Sequence, residues 1–193
     1  MLYWFKLYVS IRHGGYATKN KELYREWNTI FGFERNAERF LDYPSCCVWI
    51  HNLGFGSAHL GAHLYSIIKD VRFGRKSRQA IQQFLINLRF LHHHPCKSNC
   101  VESISLNRKF ESVIKKYHWL VGDSLHEFDK QKINGLIQIL EFLPTQLPRD
   151  KLKDVTLITQ LEINPNDIKE ILENGRAFRE NIQFGIRILQ SFL

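Results

Sequence analysis

Apolar residues recur every three or four positions in several stretches of the chain, which is the period of an amphipathic helix. The predicted helices cover residues 20–31, 34–41, 57–70, 77–91, 107–121, 129–143, 166–174 and 176–192. Ser57 and Ser77 are predicted to cap the helices over 57–70 and 77–91. Pro95 is predicted to end the second of these, and Pro144 to interrupt the chain after residues 129–143. We therefore expect an all-α, or nearly all-α, fold.

The first residues show a different pattern, because Leu2–Ile11 mixes aromatic and β-branched side chains. Either a short strand or a buried first helix fits this composition, and Gly14 and Gly15 would allow a sharp turn after it. The segment is about half the length of a membrane span. It also lacks the basic start and the cleavage site of a secretory signal. We expect no membrane span.

The length and composition of the chain favour one domain over residues 1–193. The 193 residues are 44% hydrophobic and 24% charged, which is typical of a globular protein with a full core. The four cysteines do not have the regular spacing of a secreted disulfide framework. They are expected to be reduced thiols in the cytoplasm.

The net charge of +8 is unevenly distributed along the sequence. The basic front, residues 1–109, has 16 Lys and Arg against 7 Asp and Glu, whereas the neutral back, residues 110–193, has 11 against 12. A concentrated positive charge attracts phosphate-bearing partners. This asymmetry predicts binding of nucleic acid or another polyanion by the front.

The basic residues are densest around a predicted loop that leads into a helix. The predicted phosphate contacts are Lys69, Arg72, Arg75, Lys76 and Arg78. Long cationic side chains beside a helix start suit phosphate groups. RNA is favoured slightly over duplex DNA, because no predicted helix carries basic and amide side chains toward a groove. The alternative is an ordinary solvated surface.

Histidines and cysteines offer a candidate metal site. His59 and His63 are four residues apart on a predicted helix, so their imidazoles can reach one ion. Further ligands would come from the segment that follows the next helix, and the candidates are His92, His94, Cys96 and Cys100. We expect no bound cofactor, because polar helix-end or interface roles explain the histidines; a zinc ion is the alternative. Cys46 and Cys47 are interpreted as buried apolar filling.

Arg89 and His94 have an Arg-x4-His spacing. This spacing resembles that of helical RNases of the HEPN superfamily over these six residues. The resemblance implies a metal-independent RNase in which Arg89 stabilises the charge on a scissile phosphate and His94 moves a proton. A metal-dependent hydrolase built on the His and Cys residues is the other enzymatic hypothesis.

The favoured hypothesis is a non-catalytic, cytoplasmic nucleic-acid-binding protein that uses its basic front. The helical back would serve as a scaffold, or would dock a protein partner through its C-terminal helices. A third hypothesis is a subunit of a larger assembly, with the positive face buried against a partner. The ionic-strength dependence of oligonucleotide binding tests the first hypothesis.

Overall fold

The computed structural model describes residues 8–10, 14–16, 43–91, 93–97, 99–116 and 124–193. The chain divides into two compact units, residues 1–43 and 44–193. In the first unit, strands β1 (Tyr8–Ser10) and β2 (Gly14–Tyr16) form an antiparallel pair in which Val9 is opposite Gly15. Of the two alternatives for the N-terminal segment, the strand is therefore confirmed over residues 8–10. Gly14 and Gly15 lie in β2, so their assignment to the turn is wrong.

The second unit is helical. Its helices are α1 (Ser45–Asn52), α2 (Gly56–Arg72), α3 (Gln79–Leu88), α4 (Val101–Lys116), α5 (Ser124–Gln146), α6 (Val155–Gln160), α7 (Pro165–Glu173) and α8 (Arg176–Gln190). A short 3₁₀ helix, Lys151–Lys153, precedes α6. Helix α2 is central in this unit, because it packs against α1, α3, α5, α7 and α8.

The core of the second unit lies around α2. Leu64 and Ile68 of α2 are fully buried with Leu140 and Leu143 of α5 and Leu189 of α8. Burying one such side chain contributes about 1.5–3 kcal/mol to folding. The apolar stripe of α2 thus sets the position of the surrounding helices.

Two glycines allow helices to approach α2 closely. A Cβ atom on Gly61 would lie 2.7 Å from Cγ2 of Ile139 on α5, and one on Gly185 of α8 would lie 2.5 Å from Cδ1 of Ile68. Real Cβ atoms do not come this close to other atoms. Both helix crossings therefore depend on the missing side chain.

The predicted nearly all-α fold is confirmed, and most predicted helices match within a few residues. The helices predicted over 20–31 and 34–41 lie outside the described residues, as do residues 117–121 of another. Four local predictions are wrong or incomplete. The N-cap of α2 is Phe55 rather than Ser57, whose hydroxyl donates to Gln146 instead. The N-cap of α3 is Arg78 rather than Ser77. Helix α5 continues through Pro144, and α1 was not predicted.

The single domain over residues 1–193 stays a prediction, since each unit is described separately. Within the described part of the chain, no helix combines the length and the apolar character needed to cross a bilayer.

Candidate metal centre

Four cysteines meet where three parts of the second unit come together. Cys46 and Cys47 lie in the first turn of α1, and Cys100 directly precedes α4. Cys96 lies in the segment between α3 and α4. All four are reduced; Cys47 and Cys100 are buried, whereas Cys46 and Cys96 are partly accessible.

The four sulfur atoms form a compact group. Cys46 Sγ lies 3.7 Å from Cys100 Sγ and 3.9 Å from Cys47 Sγ, while Cys47 Sγ lies 3.8 Å from Cys100 Sγ. With Cys96 included, all four sulfurs are within 4.8 Å of one another. A zinc ion with four thiolates about 2.3 Å away at tetrahedral angles places its sulfurs about 3.8 Å apart. The spacing of the cluster therefore fits a four-thiolate metal centre.

Polar groups outside the cluster hold Cys47 in place. The Ser103 hydroxyl lies 3.2 Å from Cys47 Sγ, and the His93 Nε2 atom lies 2.8 Å from the Ser103 hydroxyl. The backbone N–H of Cys96 also donates to Cys47 Sγ at 3.2 Å. Such outer hydrogen bonds orient metal ligands and stabilise the negative charge on a thiolate. Ser103 and His93 are both buried, so the contacts are shielded from water.

The electrostatic setting suits negative charge on sulfur. The N-terminal turn of α1 carries Cys46 and Cys47, and Cys100 sits at the start of α4, so the positive ends of two helix dipoles meet the cluster. Thiol hydrogen bonds from Cys47 and Cys96 lower the pKa of Cys100. Burial raises the pKa of Cys46 to about 12. A bound metal would have to displace protons from the remaining thiols.

The predicted histidine ligands His59 and His63 contact a helix end rather than the sulfur cluster. Nε2 of His59 lies 3.0 Å and Nε2 of His63 lies 3.2 Å from the carbonyl oxygen of Leu161, the C-cap residue of α6. Two imidazole N–H donors thus satisfy a carbonyl that the helix leaves without a partner. Burial lowers the pKa of His59 to about 4, which keeps its ring neutral. The geometry supports the helix-end alternative for both histidines.

Of the five predicted metal ligands that the structure describes, only Cys96 and Cys100 lie in the sulfur cluster. Among the described residues, Cys46, Cys47, Cys96 and Cys100 are the one group of three or more such ligands close enough to hold an ion. His92 lies outside the described residues, and His94 is exposed. Sequence reasoning missed Cys46 and Cys47. Adjacent cysteines after Pro44, at a helix start, were the available signal.

The predicted phosphate contacts near α2 are mostly paired with carboxylates. Lys69 Nζ lies 2.8 Å from Asp167 and 2.5 Å from Glu170, and Arg72 lies 2.8 Å from Glu180. These carboxylates belong to α7 and α8. The charges of Lys69 and Arg72 are therefore engaged in packing the C-terminal helices against α2.

The remaining three predicted contacts are more accessible. Arg75 and Lys76 both lie 3.0 Å from Asp70, with side chains 58% and 49% exposed. Arg78 contacts the Ser191 hydroxyl and the Phe192 ring, which are uncharged. Here a single carboxylate is shared between two cations, so part of the positive charge stays uncompensated.

A cleft of 390 Å³ opens beside this group, between α2 and the start of α7. Its lining includes His63, Lys69, Asp70, Arg75, Lys76 and Asp167. Charges of both signs face the cleft, so its walls do not select for anions. The side of residues 75–78 that faces away from this cleft is therefore the better candidate for phosphate contacts.

In the predicted RNase pair of Arg89 and His94, the cation of Arg89 is already engaged by a carboxylate. The Arg89 guanidinium pairs through two nitrogens with both carboxylate oxygens of Asp129 on α5. Such a bidentate pair occupies the donors that a scissile phosphate would need. The RNase hypothesis stays a prediction, as does a protein partner at the C-terminal helices.

The chain matches no family model, no curated protein and no solved structure. The class of protein is therefore defined by the structure itself. It is a mainly helical protein with a cluster of four cysteines that can hold a metal ion.

Proposed function

We propose that the protein binds one zinc ion through Cys46, Cys47, Cys96 and Cys100, and that the ion has a structural role. The ligands join the start of α1, the segment after α3 and the start of α4. Four protein ligands leave no position for a substrate or an activated water molecule. The centre is thus a non-catalytic cross-link, and stabilising this part of the fold is its function.

The observation that carries the proposal is the spacing of the sulfurs, 3.7–3.9 Å for the three pairs formed by Cys46, Cys47 and Cys100. Soft thiolates in tetrahedral geometry select zinc or iron over magnesium and calcium. The outer hydrogen bonds from Ser103 and the Cys96 backbone support the same proposal. Thiolate ligands also require a reducing compartment, which fits a cytoplasmic location.

Elemental analysis of the purified full chain tests this function. We expect one zinc per chain in the native protein and less than about a tenth of that in a Cys47→Ala variant. The matched control is the double variant His59→Gln/His63→Gln, which should keep its zinc. A metal-free native protein, or zinc lost from the histidine variant and kept by Cys47→Ala, would overturn the proposal. One iron per chain would identify the other metal that suits this ligand set.

We further propose that residues 75–78 bind a polyanion, with RNA as the favoured class. The specific support is the exposed group Arg75, Lys76 and Arg78, in which Arg75 and Lys76 share one carboxylate, that of Asp70. This surface is smaller than the five-residue surface expected from sequence, since Lys69 and Arg72 are engaged by α7 and α8. Binding through it should be weak and non-catalytic.

A further inference from the structure

A carboxylate lies at the accessible edge of the sulfur cluster. Glu102 Oε2 is 3.5 Å from Cys100 Sγ and 3.6 Å from Cys46 Sγ. Glu102 is in the first turn of α4, and its side chain is exposed. The cluster therefore has a fifth donor group beside two of its four sulfurs, although a tetrahedral zinc ion accepts four.

The position of Glu102 also fits metal coordination. A carboxylate oxygen about 2.0 Å from zinc and a thiolate about 2.3 Å from it are about 3.5 Å apart at a tetrahedral angle. The two measured oxygen–sulfur distances, 3.5 and 3.6 Å, agree with this value. The carboxylate is thus positioned as a ligand with respect to Cys46 and Cys100.

Cys46 is the ligand that an exchange would release most easily. Cys47 and Cys100 are buried, and Cys47 has additional hydrogen bonds to Ser103 and the Cys96 backbone. Of the two partly accessible cysteines, Cys46 and Cys96, Cys46 is the one in contact with Glu102. A thiolate with fewer outer contacts is held less firmly. Cys46 also shares its accessible side with Glu102.

We propose, on the basis of the zinc centre proposed above, that Glu102 is a fifth donor that exchanges with Cys46. In the exchange, a zinc–oxygen bond to Glu102 forms and the zinc–sulfur bond to Cys46 breaks. The released thiolate takes a proton from water, and no electrons are transferred. The centre alternates between four cysteines and three cysteines with one glutamate, so Cys46 is exposed to electrophiles while the metal stays bound.

Cobalt substitution tests the exchange, because thiolate-to-cobalt absorption scales with the number of bound thiolates. We expect Cys46→Ala to bind one Co²⁺ with about three quarters of the native absorption. In the Cys46→Ala background, Glu102→Gln should weaken the affinity for Co²⁺ a further tenfold or so, because one contact to the metal is lost. The control replaces Glu111, an ion-paired residue further along α4, by Gln in the same Cys46→Ala background.

The outcomes separate the two proposals. A native chain that takes up no zinc or cobalt refutes the zinc centre itself. A native chain that binds metal, with Cys46→Ala unaffected by Glu102→Gln, refutes the exchange alone. Should Cys46→Ala fail to fold, alkylation of the native zinc protein by iodoacetamide decides. Cys46 should react first with zinc retained, and Glu102→Gln should slow this reaction severalfold. An unchanged rate overturns the exchange.

Discussion

Ser103 connects the sulfur cluster to the protein interior. Its hydroxyl lies between Cys47 Sγ and His93 Nε2, so a donation from His93 to Ser103 allows Ser103 to donate to sulfur. This direction of donation stabilises a thiolate and disfavours its protonation. The effect of Ser103 should therefore appear in metal affinity more than in folding.

We predict that Ser103→Ala lowers zinc affinity about tenfold, because outer hydrogen bonds typically contribute 10–100-fold. Competition with a chromogenic chelator measures the change. Ser112→Ala is the control, since Ser112 lies on the same helix and its hydroxyl donates to the Lys109 carbonyl. Equal affinities of the two variants would contradict the role assigned to Ser103.

His59 gives the protein a pH-dependent stability. Burial lowers its folded-state pKa to about 4 from an ordinary value of 6.5. Between these values the unfolded chain binds the proton and the folded chain does not, so stability falls as pH decreases through this window. Of the charged groups nearby, Glu162 opposes the shift of both histidines, whereas Lys97 lowers the pKa of His63.

We predict that lowering the pH from 8 to 5 decreases the free energy of unfolding by about 2 kcal/mol through the protonation of His59 in the unfolded chain. Urea unfolding of the native chain and of His59→Gln at both pH values measures the difference. The variant should lose less stability on acidification than the native chain. The four cysteines are the same in both proteins, so any effect of their cluster should cancel in the comparison. Identical pH dependence in the two proteins would show that His59 is protonated when folded.

The cysteine pair at residues 46 and 47 illustrates what sequence can and cannot give at this scale. The residue types were visible, and Cys96 and Cys100 were selected as candidate ligands because their segment carries both histidines and cysteines. Cys46 and Cys47 are separated from Cys100 by 54 and 53 positions in the chain. Only the packing of α1 against α2, and of α3 against α4, brings them together.

At the scale of elements, helix α2 determines the fold of the second unit. Its strong apolar period made it predictable, and the observed Gly56–Arg72 extends the predicted 57–70 by one or two residues at each end. Helix α1 was missed because its eight residues are too few for a clear period. Pro144 was read as an interruption, but it lies in the last turn of α5, where Leu147 still donates to the Leu143 carbonyl.

The crossing of α2 and α5 depends on Gly61. Replacing it with Ala would put a methyl group 2.7 Å from Ile139 Cγ2 and 2.9 Å from Leu143 Cδ1. We predict that Gly61→Ala destabilises the protein by about 1–2 kcal/mol, because overpacking exceeds the gain in helix propensity. Urea unfolding measures this change.

Gly135→Ala provides the matched control in α5, because nothing lies within 4 Å of the added carbon. This substitution should stabilise the protein by up to about 1 kcal/mol. A Gly61→Ala variant that is also stabilised would mean that the two helices are not closely packed at this crossing.

At the scale of the whole molecule, described basic residues of the front form ion pairs with carboxylates of the neutral back. Among the residues that the structure describes, six basic side chains of the front are ion-paired: Lys69, Arg72, Arg75, Lys76, Arg89 and Lys97. Except for Asp70, their partners come from the back of the chain, as Asp129, Glu162, Asp167, Glu170 and Glu180. Charge segregation along a sequence thus becomes charge pairing between helices, which no linear count reveals.

This pairing limits how strongly the predicted surface around α2 can bind a polyanion. Of its five predicted contacts, Arg75, Lys76 and Arg78 keep accessible charge, so this surface would neutralise at most about three phosphates. For single-stranded RNA this corresponds to a slope of log affinity against log salt near −2. A five-contact surface that included Lys69 and Arg72 would give a slope near −3.5.

We therefore predict weak RNA binding with the smaller slope, measured by fluorescence anisotropy between 50 and 200 mM salt with a single-stranded oligonucleotide. Arg75→Gln/Lys76→Gln should reduce the magnitude of the slope to about 0.7, because two of the three contacts are lost. The control Lys115→Gln/Lys116→Gln removes two adjacent charges from α4 and should leave the slope unchanged. Equal losses in both variants would assign any binding to net charge alone, and no binding at low salt would leave the zinc centre as the protein's sole proposed function.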